Sequence, residues 1–198
     1  MGGYVQIGDL NTWYEEQGAG DSLVLFHGGL STNETWAAQI PDFAAHFRVV
    51  APERRGHGRT ADREGPLSYD LMAEDMIGFL ETVVGGPAHI VGWSGRHRRL
   101  DRGDGPPRPG AQACRHQCEL RHLRRVPEAV EGMASTTAES DDLAMFRTSF
   151  EAASPDGAEH WPVVFAKFQT MVTTKLNLTV AVWHGSAHPP WRSPAMTT

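Results

Sequence analysis

The sequence has 198 residues, 40% hydrophobic and 21% charged, a size and composition that suit one globular core carrying an insertion. A formal net charge of −6 argues against general binding to a phosphate backbone, and no run approaches the roughly 20 apolar residues of a membrane span. Two cysteines exclude a disulfide framework, and Cys114 and Cys118, even with His116 and His122 nearby, lack the paired spacing of a zinc site. The expectation is a cytoplasmic protein with no metal, no cofactor, and neither nucleic acid nor membrane as partner. The N-terminus agrees, because no basic region precedes an apolar run there. Nothing in the composition speaks to oligomeric state.

Tyr4 to Ile7 and Leu10 to Tyr14 read as two short strands joined by a Gly8-Asp9 turn. Leu23 to Phe26 is a continuous apolar run, as expected of a strand covered on both faces, and it ends in His27-Gly28-Gly29-Leu30. Glycines there let the backbone approach a ligand closely. Ser31 to Glu34 reads as a helix start, with Trp36, Ile40 and Phe43 on one helical face. Phe47 to Pro52 is the next strand, followed by a charged, glycine-punctuated loop from Glu53 to Thr60 in which His57 reads as a brace. Ser68 then caps a helix whose Met72, Met76, Phe79, Leu80 and Val83 keep the 3.6-residue period until Gly85-Gly86-Pro87. Strands alternating with helices imply a mainly parallel sheet covered on both faces.

The stretch from His89 to Gly95 organises the rest. A short apolar strand runs straight into Gly92-Trp93-Ser94-Gly95. A sharp strand-to-helix turn would lift the Ser94 hydroxyl clear of its neighbours and aim the next backbone N–H groups at a carbonyl under attack. Small residues are wanted two before and two after the serine. Gly92 meets the first need, but Arg96 stands at the second.

In this order the apolar strand into His27-Gly28-Gly29, the Pro52 to Gly58 loop, the helix and Gly92-Trp93-Ser94 resemble the α/β-hydrolase superfamily, in its esterase, lipase and haloperoxidase-like group. The resemblance covers residues 1–94. It implies an α/β-hydrolase fold, with a mainly parallel sheet, helices on both faces and a helical cap. It also implies Ser94 as nucleophile, an oxyanion hole from the backbone at Gly29, Leu30 and Gly95, and a substrate pocket walled by His27, Gly28 and Trp93. The substrate would be a small ester or similar acyl compound. Members with an aspartate nucleophile are disfavoured by the serine at position 94.

Beyond Ser94 the pattern changes. Residues 95–125 carry nine arginines and three prolines with no apolar stripe, where the family places a helix and another buried strand. Arginine, proline, glycine, histidine and cysteine together are what a GC-rich gene yields out of frame. Permitted codons read one base later give a glycine pair, a small-residue helix and an apolar strand. Residues 1–125 are therefore assigned to the hydrolase core, with 95–125 out of frame.

Residues 126–175 read as the helical cap, with helices starting at Pro127, lined by Leu143, Phe146 and Phe150, and lined by Trp161, Val164, Phe165, Phe168 and Met171. In the cap, Asp141, Asp142 and Asp156 read as helix-start charges and His160 as a cap residue. From 176–181 to residue 198 the tail is aberrant, and a frame two bases on restores a buried strand and an acidic loop. The fold is thus expected to be truncated at its C-terminus, without the acid and histidine that Ser–His–Asp chemistry needs. The expected activity is a serine hydrolase, impaired in this chain. The other reading is a non-catalytic remnant that binds an acidic partner through the arginine-rich segment 95–125.

Overall fold

The computed structural model of the protein describes residues 1–93 and 127–174. Five strands form one mixed sheet in the order β1-β2-β4-β3-β5. They are β1 (Gly2–Ile7), β2 (Leu10–Gln17), β3 (Ser22–Phe26), β4 (Arg48–Pro52) and β5 (Ala88–Gly92). The β1/β2 hairpin is antiparallel and β2 also runs antiparallel to β4, whereas β3 pairs parallel with both β4 and β5. The parallel centre is the part expected from the strand–helix alternation. The hairpin adds an antiparallel margin because two residues, Gly8 and Asp9, are too few to cross over the sheet.

Side-chain alternation explains why β3 is apolar throughout. Val24 and Phe26 face a cluster with Ile7, Val50, Met76 and Phe79, while Leu23 and Leu25 face Ile40, Val49 and Ala51 on the other side. Helix α2 (Tyr69–Phe79) covers the first face, and α1 (Ile40–Ala44) covers the second. Ser68 caps α2, its hydroxyl accepting from the Leu71 N–H at 3.1 Å.

Two helical expectations are modified. The segment after Thr32 forms a 3-10 turn over Asn33–Trp36 and then the short α1, rather than one helix. Pro41 stands in the first turn of α1, where its missing N–H costs nothing but prevents a continuous helix through it. At its other end α2 widens into a π-turn over Leu80–Val84, closed by Gly85 at φ 67°.

Three further helices follow, α3 (Pro127–Ser135), α4 (Ala144–Ala153) and α5 (Trp161–Thr173). Leu143, Phe150, Trp161, Val164 and Phe165 form their common core, and the Trp161 indole N–H donates to the Ala138 carbonyl at 2.8 Å. That core includes Leu30, from the loop after β3. Phe168 and Met171 extend the contact to Leu67 and Met72. The three helices thus pack on the end of the sheet where β3 terminates. The expected frame change over 95–125 and the tail from 176–181 onward lie outside the described residues.

Candidate active site

The site begins with strand register. Phe26 lies opposite Gly92 in the parallel β3/β5 pair, and the Trp93 N–H donates to the Phe26 carbonyl at 3.1 Å. The chain leaving β5 at Trp93 therefore emerges beside His27-Gly28-Gly29-Leu30. Trp93 is 45% exposed, at the mouth of this junction. Ser94 and Gly95 lie outside the described residues.

The β3 loop is held from below. Arg54, on the neighbouring loop after β4, donates through one terminal nitrogen to the carbonyls of His27 at 2.6 Å and Gly28 at 2.9 Å. The Gly28 carbonyl also accepts from the Ser31 hydroxyl at 3.1 Å and from His27 Nδ1 at 2.7 Å. Because a carbonyl can only accept, Nδ1 carries the ring proton, leaving Nε2 to accept the Arg54 backbone N–H at 3.1 Å. His27 is thus fully buried with its ring under the loop, so its imidazole braces the backbone that the sequence assigned to the pocket.

This bracing fixes where the amides point. In a trans peptide the C=O and the following N–H are opposed. With the Gly28 carbonyl drawn inward to Arg54, the Gly29 N–H is turned away from it. Neither the Gly29 nor the Leu30 N–H donates to any group among the described residues. Leu30 is held at φ 59°, a left-handed conformation that costs a branched aliphatic residue on the order of 1–2 kcal/mol. Its side chain is buried in the α3–α5 core, which offsets that cost. Gly29 leaves no space above itself, since a Cβ there would come within 2.3 Å of the Phe168 ring.

The electrostatics are one-sided. Burial pushes the Arg54 guanidinium down to about 10, so it remains charged near neutrality, and no carboxylate among the described residues pairs with it. His57 lies against His27 with ring centroids 5.2 Å apart, and its Nδ1 donates to the Arg55 carbonyl at 2.9 Å. Burial, reinforced by Arg54, pushes His57 down to about 3. It is neutral at any ordinary pH and acts as the brace expected of it.

Other charges tie the β4 loop to its surroundings. Arg55 grips Asp75 of α2 through Nε at 2.6 Å and a terminal nitrogen at 2.9 Å. Glu53 is fully buried against Arg59, which donates to it from both backbone and guanidinium. Desolvation nevertheless pushes the Glu53 carboxyl up to about 7. Asp62 accepts from His160 Nε2 at 3.0 Å and Lys167 Nζ at 2.5 Å, while its own N–H donates to Asp156. Burial raises the Asp62 carboxyl, but the Lys167 and His160 hydrogen bonds outweigh it and hold the group below its usual value. Arg54 and Asp62 were not among the sequence candidates. Asp156 and His160, read as helix-start and cap residues, both contact Asp62. Among the described residues no group of three or more His, Cys, Asp or Glu could hold a metal ion, and no helix is long and apolar enough to cross a membrane.

The sequence profile of the alpha/beta hydrolase family matches residues 23–196. The chain belongs to this family. The (E)-2-((N-methylformamido)methylene)succinate hydrolase of Acinetobacter baylyi is 33% identical over 85 residues, covering 41% of this chain and 31% of that enzyme. A bifunctional esterase/perhydrolase of Acinetobacter calcoaceticus is 36% identical over 93 residues, covering 44% of this chain and 34% of the relative. Each match thus spans about a third of the relative's length. Among solved structures, an E-2-(acetamidomethylene)succinate hydrolase aligns with TM-score 0.45 and 27% identity, over 46% of this chain and 34% of that one. An epoxide hydrolase from Vigna radiata aligns with TM-score 0.46 and 22% identity, over 48% and 32% respectively.

Proposed function

We propose that the protein is a serine hydrolase of the family, acting on a small ester or similar acyl substrate through an acyl-enzyme at Ser94. The supporting observation is the junction of β3 and β5, where a loop with inward carbonyls, its Gly29 and Leu30 N–H groups without a partner among the described residues, lies beside the strand that leads into Ser94. In this reading the Ser94 oxygen bonds to the substrate carbonyl carbon as the carbonyl π pair moves onto oxygen. The developing oxyanion accepts from the amides at Gly29 or Leu30 and at Gly95. Collapse expels the alcohol and leaves the acyl group on Ser94, and water then releases the acid. Arg54 adds fixed positive charge beneath the loop. Relatives named as hydrolases of succinate derivatives and as an esterase support a small acyl substrate, approached through a pocket that Gly28 and Trp93 border.

The Ser94 proton needs a base. His27 and His57 spend their rings on the loop backbone, and His160 is committed to Asp62. The reading includes an impaired turnover, slowed by about 10⁶ as when the histidine of a triad is removed. It also includes frame changes at 95–125 and from 176–181 onward, which resequencing the encoding DNA would reveal as a restored glycine elbow and acidic loop. A fluorophosphonate probe should attach slowly to the wild-type chain at Ser94 and not to Ser94→Ala. No labelling, together with salt-dependent retention on an anionic matrix that is lost when 95–125 is deleted, would overturn this reading in favour of a binding protein.

A further inference from the structure

Helix α5 lies across both loops that shape the site. Phe168 covers Gly29 so closely that a Cβ on that glycine would sit 2.3 Å from the ring. Val164 approaches Gly56 of the β4 loop, a γ-carbon lying 3.7 Å from where a Cβ would stand. Trp161, Val164 and Phe165 share a core with Leu30, the residue held at φ 59°. The polar counterpart of this apolar seat is Asp62. Lys167, immediately before Phe168, donates to Asp62 at 2.5 Å and to the Arg63 carbonyl at 2.7 Å. His160 reaches the same carboxylate oxygen at 3.0 Å, and Asp156 accepts the Asp62 N–H at 2.6 Å. The Asp62 side chain is 4% exposed, so these partners act in a weakly screened environment.

We propose that Asp62 is a positioning residue for the oxyanion loop: by fixing Lys167 and His160 it seats α5, and the seated helix keeps Leu30 and Gly29 in their donor conformation. The physical link is strain. A leucine at positive φ relaxes unless packing opposes it, and the packing that opposes it comes from the helix that Asp62 holds. Releasing the carboxylate should therefore loosen two places at once, α5 and the braced loop, though they are far apart in sequence. The inference deepens the proposed function, since it assigns the seating of the oxyanion donors, but its test does not use Ser94 chemistry.

Amide hydrogen exchange on the 198-residue chain provides that test. The Arg54 amide, bonded to the His27 ring, and the Thr35 amide, bonded to the Thr32 carbonyl, report the loop. Amides within α5 report the helix. Asp62→Asn and Lys167→Met should each accelerate exchange about tenfold at both reporters, with Leu23 to Phe26 changing less than about twofold. Lys167→Arg should retain the wild-type pattern, since it preserves the charge and the donor. The proposal is overturned if α5 loosens while Arg54 and Thr35 keep their protection, if neither loosens, or if β3 accelerates in step with them. Failure of Ser94 to label would sink the hydrolase reading and leave the exchange result standing.

Discussion

Glu53 and Gly58 show how tightly single residues are determined in the β4 loop. A Cβ on Gly58, which sits at φ 55°, would meet the Glu53 carboxyl at 2.4 Å. Glu53 has no exposed surface into which to retreat. Gly58→Ala should therefore cost roughly 2–5 kcal/mol, the sum of left-handed strain and overpacking, read as a shift in the denaturant midpoint at constant slope.

Glu53 itself sets a pH dependence of unusual sign. Its folded value of about 7 lies above the unfolded value near 4.5, so the folded state binds the extra proton. Stability from this group is present below about pH 4.5 and is lost as pH rises towards 7, by up to about 3 kcal/mol. Glu53→Gln should remove that decline in pH-dependent unfolding. A wild-type curve parallel to the variant's would refute the assignment. Asp62, held below its usual value, acts in the opposite sense: its contribution is present above its unfolded value of 3.8 and lost as the pH falls below it.

Between elements, charge as well as apolar packing joins loop to helix. Arg55 and Asp75 are 5% and 9% exposed and bonded at two points, linking the β4 loop to α2. Asp75→Ala would leave the buried guanidinium with the exposed Asp9 carboxylate, 3.5 Å away, as its remaining acidic partner among the described residues, and should cost about 3–5 kcal/mol. Replacing both partners with leucine should cost less than the single change, which a double-mutant cycle reads directly. Removing the α2 cap with Ser68→Ala should cost about 1 kcal/mol by the same measurement.

What the sequence revealed at this scale follows from local rules. The apolar run Leu23 to Phe26 and the Ser68 cap carry their signals within a few residues, and both form as read. The π-turn at Leu80–Val84 and the break between Asn33 and Ile40 depend on how the ends pack, which periodicity does not record. Asp62 illustrates the larger gap. Its partners Asp156, His160 and Lys167 lie about a hundred positions away, so no motif or spacing marks them. Arg54 was hidden for a different reason: nothing in a charged loop sets it apart from its neighbour Arg55, whereas burial and two carbonyls make it the support of the β3 loop.

Over the whole molecule, the parallel pair β3/β5 and the helices α3–α5 converge on one end of the sheet. Family membership rests on a profile spanning residues 23–196, while the relatives matched here extend well beyond the aligned part. The proposed chemistry joins a braced oxyanion loop to a serine whose base is none of His27, His57 and His160, whose rings are engaged elsewhere. Such a site should acylate slowly and, with an activated ester, deacylate more slowly still, because that leaving group departs unprotonated while the attacking water must lose a proton.

Trapping the acyl-enzyme would show whether Ser94 is the nucleophile. The chain would be incubated with an activated ester such as p-nitrophenyl acetate, quenched in acid, digested and examined by mass spectrometry. One acetyl group should appear on the peptide containing Ser94 and be absent from Ser94→Ala, with little turnover after the first equivalent. An unmodified Ser94, or acetylation that persists in Ser94→Ala, would contradict that role for Ser94.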